Sequence, residues 1–199
     1  MPIPPAVDIV TARLDPPPAV VCASWFQLSA EEQDRASRYR FERDRRRFIV
    51  ARARLRQLLA ERLGSAPESI HLAYGVNGKP ALAGRFASSG WHFNVSRREE
   101  LALYAFSRGA EVGVDVEAVH PLSAADELAA RAFSPEEERS YLTAAADQRS
   151  LAFFRCWTRK EALAKGLGVG LAVEVAPPPG WQLHSFAPRP GFIAALAHR

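Results

Sequence analysis

The sequence predicts an α+β fold, mixed and mostly antiparallel. Three observations support this. A long run from Ser29 to Leu63 has helical spacing. WHFNVS (91–96), LALYAFS (101–107) and EVGVDVE (111–117) follow one another as strands with no helical pattern between them. Two helical runs, FSPEEERSYL (133–142) and LAFFRCWTRKEALAKGLG (151–168), then precede a closing group of strands. The regular β-α alternation of a parallel, doubly wound sheet is missing.

The elements follow from local chemistry. DPPP (15–18) and APPPG (176–180) read as loops, because proline cannot donate to a helix or sheet ladder. Ser29 is the expected N-cap of the first helical run, with Glu31 and Glu32 in its first turn. Phe48, Leu55, Leu58, Leu59 and Leu63 recur at helical spacing until Gly64 ends the run. NGKP (77–80) is a turn that projects Lys79. The three strands alternate or carry β-branched and aromatic residues. Ser134, Pro135 and Glu137 form a capping-box signature at the start of the next helix. Gly166 and Gly168 mark the end of the last one, and VEVAP, WQLHSF and GFIAALA are expected to be strands. No low-complexity tract or internal sequence repeat is visible.

Composition narrows the class. The 199 residues are 48% hydrophobic and 24% charged, as expected of a globular protein of one large domain or two small ones. No apolar run approaches the length of a membrane span. The first residues lack a basic n-region and an apolar h-region, so no secretory leader is expected. Cys22 and Cys156 have no metal-ligand spacing and read as buried free thiols in a reducing cytoplasm. The net charge of +4 favours anionic partners.

The chemistry concentrates in two stretches. In EVGVDVE, strand alternation puts Val112, Val114 and Val116 on one face and Gly113, Asp115 and Glu117 on the other. Two neighbouring carboxylates stay ionised together only with a cation nearby, and solvated edge charges are the simpler alternative. Trp157, Glu161 and Lys165 fall on one helical stripe, since four residues are close to one turn. A core tryptophan beside an i, i+4 ion pair would explain that stripe too. Asp115, Glu117 and Glu161 together offer hard oxygen ligands, which suit Mg²⁺ rather than zinc. Arg45, Arg46, Arg47, Arg52, Arg54, Arg56 and Arg62, with Lys79, Ser96 and Arg97, could meet the phosphates of a polyphosphate ligand.

Taken in order, the arginine-rich helix, GKP, FNVS, GVDVE, FSPEE and WTRKEALAKGLG resemble the Sfp-type 4′-phosphopantetheinyl transferases. GVDVE resembles that family's G-(I/V)-D-(I/V)-E, and WTRKEALAK its W-x-x-K-E-x-x-x-K. The resemblance implies two similar α+β halves related by a pseudo-twofold, 1–107 on the coenzyme A nucleotide side and 108–199 carrying the metal and catalytic groups. It implies Mg²⁺ held by Asp115, Glu117 and Glu161, and catalysis by Glu161, Lys165 and Asp115. Coenzyme A would meet Arg52, Arg56, Lys79, Pro80, Ser96, Arg97 and Lys165, with Arg56 and Arg52 at the 3′-phosphate. Arg97 stands where the family reads histidine. The implied enzyme is a cytoplasmic monomer that moves phosphopantetheine from coenzyme A to a serine of an acyl or peptidyl carrier protein and releases 3′,5′-ADP. It engages neither nucleic acid nor membrane. Two rival readings are another Mg²⁺-dependent phosphodiesterase or nuclease, and a non-enzymatic nucleic-acid binder built on the arginine helix.

Overall fold

The computed structural model describes residues 7–170 and 176–199. Its elements are β1 (Val7–Arg13), α1 (Pro18–Trp25), α2 (Ala30–Ser37), α3 (Glu42–Leu63), β2 (Leu72–Tyr74), β3 (Pro80–Leu82), β4 (Trp91–Arg98), β5 (Leu101–Arg108), β6 (Val112–Ala118), α4 (Ala125–Ala132), α5 (Pro135–Leu142), α6 (Arg149–Leu167), β7 (Gln182–Phe186) and β8 (Phe192–His198). The α+β expectation holds at that level.

Two antiparallel sheets, ordered β1-β5-β4 and β6-β8-β7, pack face to face. In each sheet the last strand in sequence lies in the centre. Those central strands are buried on both faces, and this explains why LALYAFS and FIAALAH lack polar alternation. Leu101, Leu103 and Ala105 of β5 pack on Val112, Val114 and Val116 of β6 and on Ala194 and Leu196 of β8. The opposite face of β5, Ala102, Tyr104 and Phe106, meets Leu55, Leu58 and Leu59 of α3. Ala195 and Ala197 of β8 meet Ala162 and Leu163 of α6. The layers therefore run α3, sheet, sheet, α6, and Tyr104 reaches across to donate to the Ala51 carbonyl at 2.9 Å. Among the described residues no helix is long and apolar enough to cross a membrane.

Several expectations need correction. The run from Ser29 to Leu63 is two helices, broken at residues 38–41, where Phe41 is extended (φ −104°, ψ 128°). The break lets α2 fold back so that Glu32 reaches Arg56 and Tyr39 packs on Phe48. Pro18 of the DPPP segment opens a short helix, α1, as an N1 proline. Cys22 is exposed on α1 and Cys156 is half-buried, so neither is a fully buried thiol, although both are free. Of VEVAP, residues 173–175 lie outside the described residues. WQLHSF and GFIAALA do form β7 and β8. Both Ser29 and Ser134 complete reciprocal capping boxes with Glu32 and Glu137, and Gly64 (φ 59°) and Gly168 (φ 72°) close α3 and α6 in the left-handed region.

Candidate active site

Strands β4 and β6 run side by side without a backbone ladder; their side chains join the two sheets. The even-numbered residues of β4 all face β6. Ser96 Oγ donates to Asp115 Oδ1 at 2.8 Å and accepts from the Val116 amide, and Asn94 Oδ1 accepts from the Val114 amide at 2.9 Å. His92 lies 3.2 Å from Glu111, and Arg98 3.0 Å from Glu117. This seam follows directly from strand period, since one strand edge shows alternate residues to its neighbour.

Helix α6 crosses the same face of β6. A Cβ added to Gly113 would come within 2.0 Å of the Ala162 carbonyl oxygen, so only glycine permits the crossing. The group that Gly113 admits is the helix backbone. Trp157 stacks on Phe153 at 5.8 Å within the α4–α6 cluster and anchors α6 from beneath. One turn on, Glu161 is half-buried, and Lys165 Nζ reaches Asp115 Oδ1 at 2.6 Å and Ser96 Oγ at 3.2 Å. The three members of the stripe thus serve as anchor, carboxylate and ammonium.

Three carboxylates, Asp115, Glu117 and Glu161, belong to this region. Asp115 is 3% exposed, and its Oδ2 is buried without a hydrogen-bond partner. Glu117 Oε2 lies near Arg98 Nε, but neither atom completes a hydrogen bond, so that pair is held by charge and not by a directed donor. Burial pushes the Glu117 carboxyl above its ordinary pKa; the Asp115 charge adds to this, and Arg98 opposes it. Burial raises Glu161 as well, with Lys165 opposing and Asp115 and Glu117 adding. As the side chains stand, no three of His, Cys, Asp and Glu among the described residues are close enough to ligate a metal. Asp115 is held by Lys165 and Glu117 is drawn toward Arg98.

The cationic part lies on the other side of β4. Arg35, Arg52 and Arg97 surround the Phe48 ring, with guanidinium carbons 5.4, 5.7 and 5.6 Å from its centroid. Arg52, Arg97, Phe48 and Pro80 line a recess of about 130 Å³. Burial, then Arg97 and Arg35, lowers the pKa of Arg52, and one of its terminal nitrogens is buried without a partner. Arg52 shares Glu32, 3.4 Å away, with Arg56, so one carboxylate faces several guanidinium groups, and such an excess of positive charge suits an anion.

Two expected residues are placed differently. Arg56 does not face a phosphate: it is 2% exposed, bound to Glu32 at 2.7 Å and to the Pro67 and Ile70 carbonyls. The α2 fold-back supplies Glu32, and a buried guanidinium needs that carboxylate. Lys79 turns to the end of α6 and pairs with Glu111. Arg35 was not singled out from the sequence. Its place beside Phe48 depends on the same fold-back, which no local signal encodes.

A family model described as the 4′-phosphopantetheinyl transferase superfamily matches residues 111–190, and one described as 4′-phosphopantetheinyl transferase, N-terminal, matches residues 15–108. The chain is 37% identical over 184 residues to the 4′-phosphopantetheinyl transferase HetI of Nostoc sp., covering 85% of this chain and 78% of that one. The chain belongs to the 4′-phosphopantetheinyl transferase superfamily. A putative 4′-phosphopantetheinyl transferase of Synechocystis sp. is 37% identical over 145 residues, and a 4′-phosphopantetheinyl transferase of Bacillus pumilus is 31% identical over 145 residues. Each of these two matches covers 73% of this chain but only 58% and 60% of the relative, so the chain spans under two thirds of their length. GVDVE and WTRKEALAK, two of the stretches on which the resemblance rests, meet at the α6–β6 crossing.

Proposed function

We propose that the protein transfers the 4′-phosphopantetheine group of coenzyme A to a serine hydroxyl of an acyl or peptidyl carrier protein. The observation that carries this is the pairing of a carboxylate–lysine cluster with a separate arginine recess on either side of one strand. A single long ligand with phosphates at two places, such as coenzyme A, would engage both. Arg52 and Arg97, with Arg35, would hold the 3′-phosphate end against Phe48 and Pro80. Lys165 and Ser96 would meet the pyrophosphate.

The carboxylates fit Mg²⁺. Their donors are all hard oxygens, and Asp115 Oδ2 is buried without a hydrogen-bond partner. Asp115, Glu117 and Glu161 would hold the ion, which would neutralise the pyrophosphate. In the reaction the serine oxygen bonds to the β-phosphorus as the bond from that phosphorus to the bridging oxygen breaks, and 3′,5′-ADP departs. Glu161 accepts the serine proton directly or through water. Lys165, on the helix that bears Glu161, stabilises charge building on the phosphate oxygens.

The sheet orders β1-β5-β4 and β6-β8-β7 support two halves related by a pseudo-twofold, since each three-stranded sheet places its last strand between the other two. A boundary at residues 107/108 falls at the last residue of β5, just ahead of the short connection to β6. We read the protein as a cytoplasmic monomer that engages neither nucleic acid nor membrane. The test incubates it with coenzyme A, Mg²⁺ and a panel of apo carrier proteins. A phosphopantetheine mass increase on the carrier serine is expected. Hydrolysis of a simple phosphodiester with no carrier modified would overturn the reading.

A further inference from the structure

The turn at residues 75–79 and the last turn of α6 come from opposite halves and meet around one carboxylate. Lys79 Nζ donates to Gly166 O at 2.7 Å and to Glu111 Oε2 at 2.9 Å. Asn77 Nδ2 donates to Gly168 O at 2.8 Å. The other Glu111 oxygen lies 3.2 Å from His92 Nδ1. These contacts sit beside a cleft of about 440 Å³ lined also by Trp91 and Trp181.

Their place on α6 gives them leverage. Carbonyls of a helix's last turn have no partner within the helix, and a cation there is favourable. Gly166 directly follows Lys165. Where α6 crosses β6 the surfaces are bare: a Cβ at Gly113 would come 2.3 Å from the Gly166 amide nitrogen. Two glycines in contact supply close approach, and the Trp181 ring covers Gly166 by apolar contact that has no direction of its own. The directed bonds from the 75–79 turn supply that direction.

We propose that Lys79 is a positioning residue, which with Asn77 and Glu111 latches the end of α6 and so sets Lys165 and Glu161 in register with Asp115. Its catalytic consequence rests on the transfer reading above; the latch itself does not. Lys79→Met keeps the stem and removes the donors. Amide hydrogen exchange in residues 163–168, measured without substrate, should quicken roughly tenfold as that turn opens more often. The kcat at saturating coenzyme A should fall roughly tenfold to a hundredfold, the scale of a small misplacement of catalytic groups, while calorimetric affinity for coenzyme A falls by a much smaller factor, since Lys165 is one of several groups that meet it. Lys79→Arg, which can still donate to both partners, should restore most of kcat. Glu111→Gln should shift exchange and kcat the same way by less. If Lys79→Met does not fold, Asn77→Ala and Glu111→Gln decide by the same readouts. Unchanged exchange, or weakened coenzyme A binding with kcat intact, overturns the proposal. A parent protein that modifies no carrier sinks the transfer reading, while the exchange result still decides the latch.

Discussion

Arg97 faces the α3 side of β4, one residue from Ser96, which faces the carboxylates; strand alternation divides the two tasks between neighbours. A histidine there would grip phosphate better as pH falls, whereas arginine stays charged throughout. Arg97→Ala should weaken coenzyme A binding by about 1–3 kcal/mol, the scale of a hydrogen bond to a charged group. Arg97→His should bind more tightly near pH 6 than near pH 8, beyond any trend in the parent, as titration calorimetry would reveal. Arg35→Ala should weaken binding in the same sense. At the carboxylates, Asp115→Asn and Glu161→Gln should each lower turnover by on the order of a hundredfold or more and reduce Mg²⁺ affinity. Near-normal Mg²⁺-dependent turnover in either variant would remove that residue from the ligand set.

At the scale of elements, the α6–β6 crossing depends on a missing side chain. Gly113→Ala would drive its Cβ into the Ala162 carbonyl, and backbone cannot rotate away as a side chain can. A loss of about 3 kcal/mol or more is expected in urea unfolding, at the upper end for overpacking. Helix α5 offers a pH test. Burial raises the Glu137 carboxyl, but hydrogen bonds from Lys160 and from the Ser134 amide outweigh it and leave its pKa below the ordinary 4.5. A carboxyl lowered on folding stabilises the native state above its unfolded pKa, and that contribution fades as pH falls through the folded value. Glu137→Gln should therefore cost stability at neutral pH, and its difference from the parent should shrink below about pH 4. A constant difference across that range would show that the carboxylate charge does not contribute.

For the whole molecule, a net charge of +4 predicts electrostatic capture of an acidic carrier protein. Raising salt should lower kcat/KM for the carrier more than it lowers kcat, because screening acts on encounter. Salt-independent kinetics would place recognition in apolar contact instead. The four-layer stack also joins the two sheets by an apolar core and the β4–β6 seam, so the site lies across packed elements and not on free loops.

The sequence by itself determined what local chemistry specifies. Period-2 alternation put Asp115 and Glu117 on one face of β6, helical spacing put Glu161 and Lys165 on one stripe of α6, and capping boxes located the starts of α2 and α5. Motif order was enough to reveal the family. Tertiary structure alone decided which charges remain free. Arg52 and Arg56 lie one turn apart on α3, look alike in sequence and share Glu32, yet Arg56 is also bound by two carbonyls inside the core while Arg52 lines the recess and keeps one nitrogen without a hydrogen-bond partner. The break at residues 38–41 and the path of the 75–79 turn to α6 likewise depend on contacts far apart in the chain. A side chain's period follows from its own backbone, but its partner is whatever the folded chain brings beside it, and a buried charge is bound by that partner.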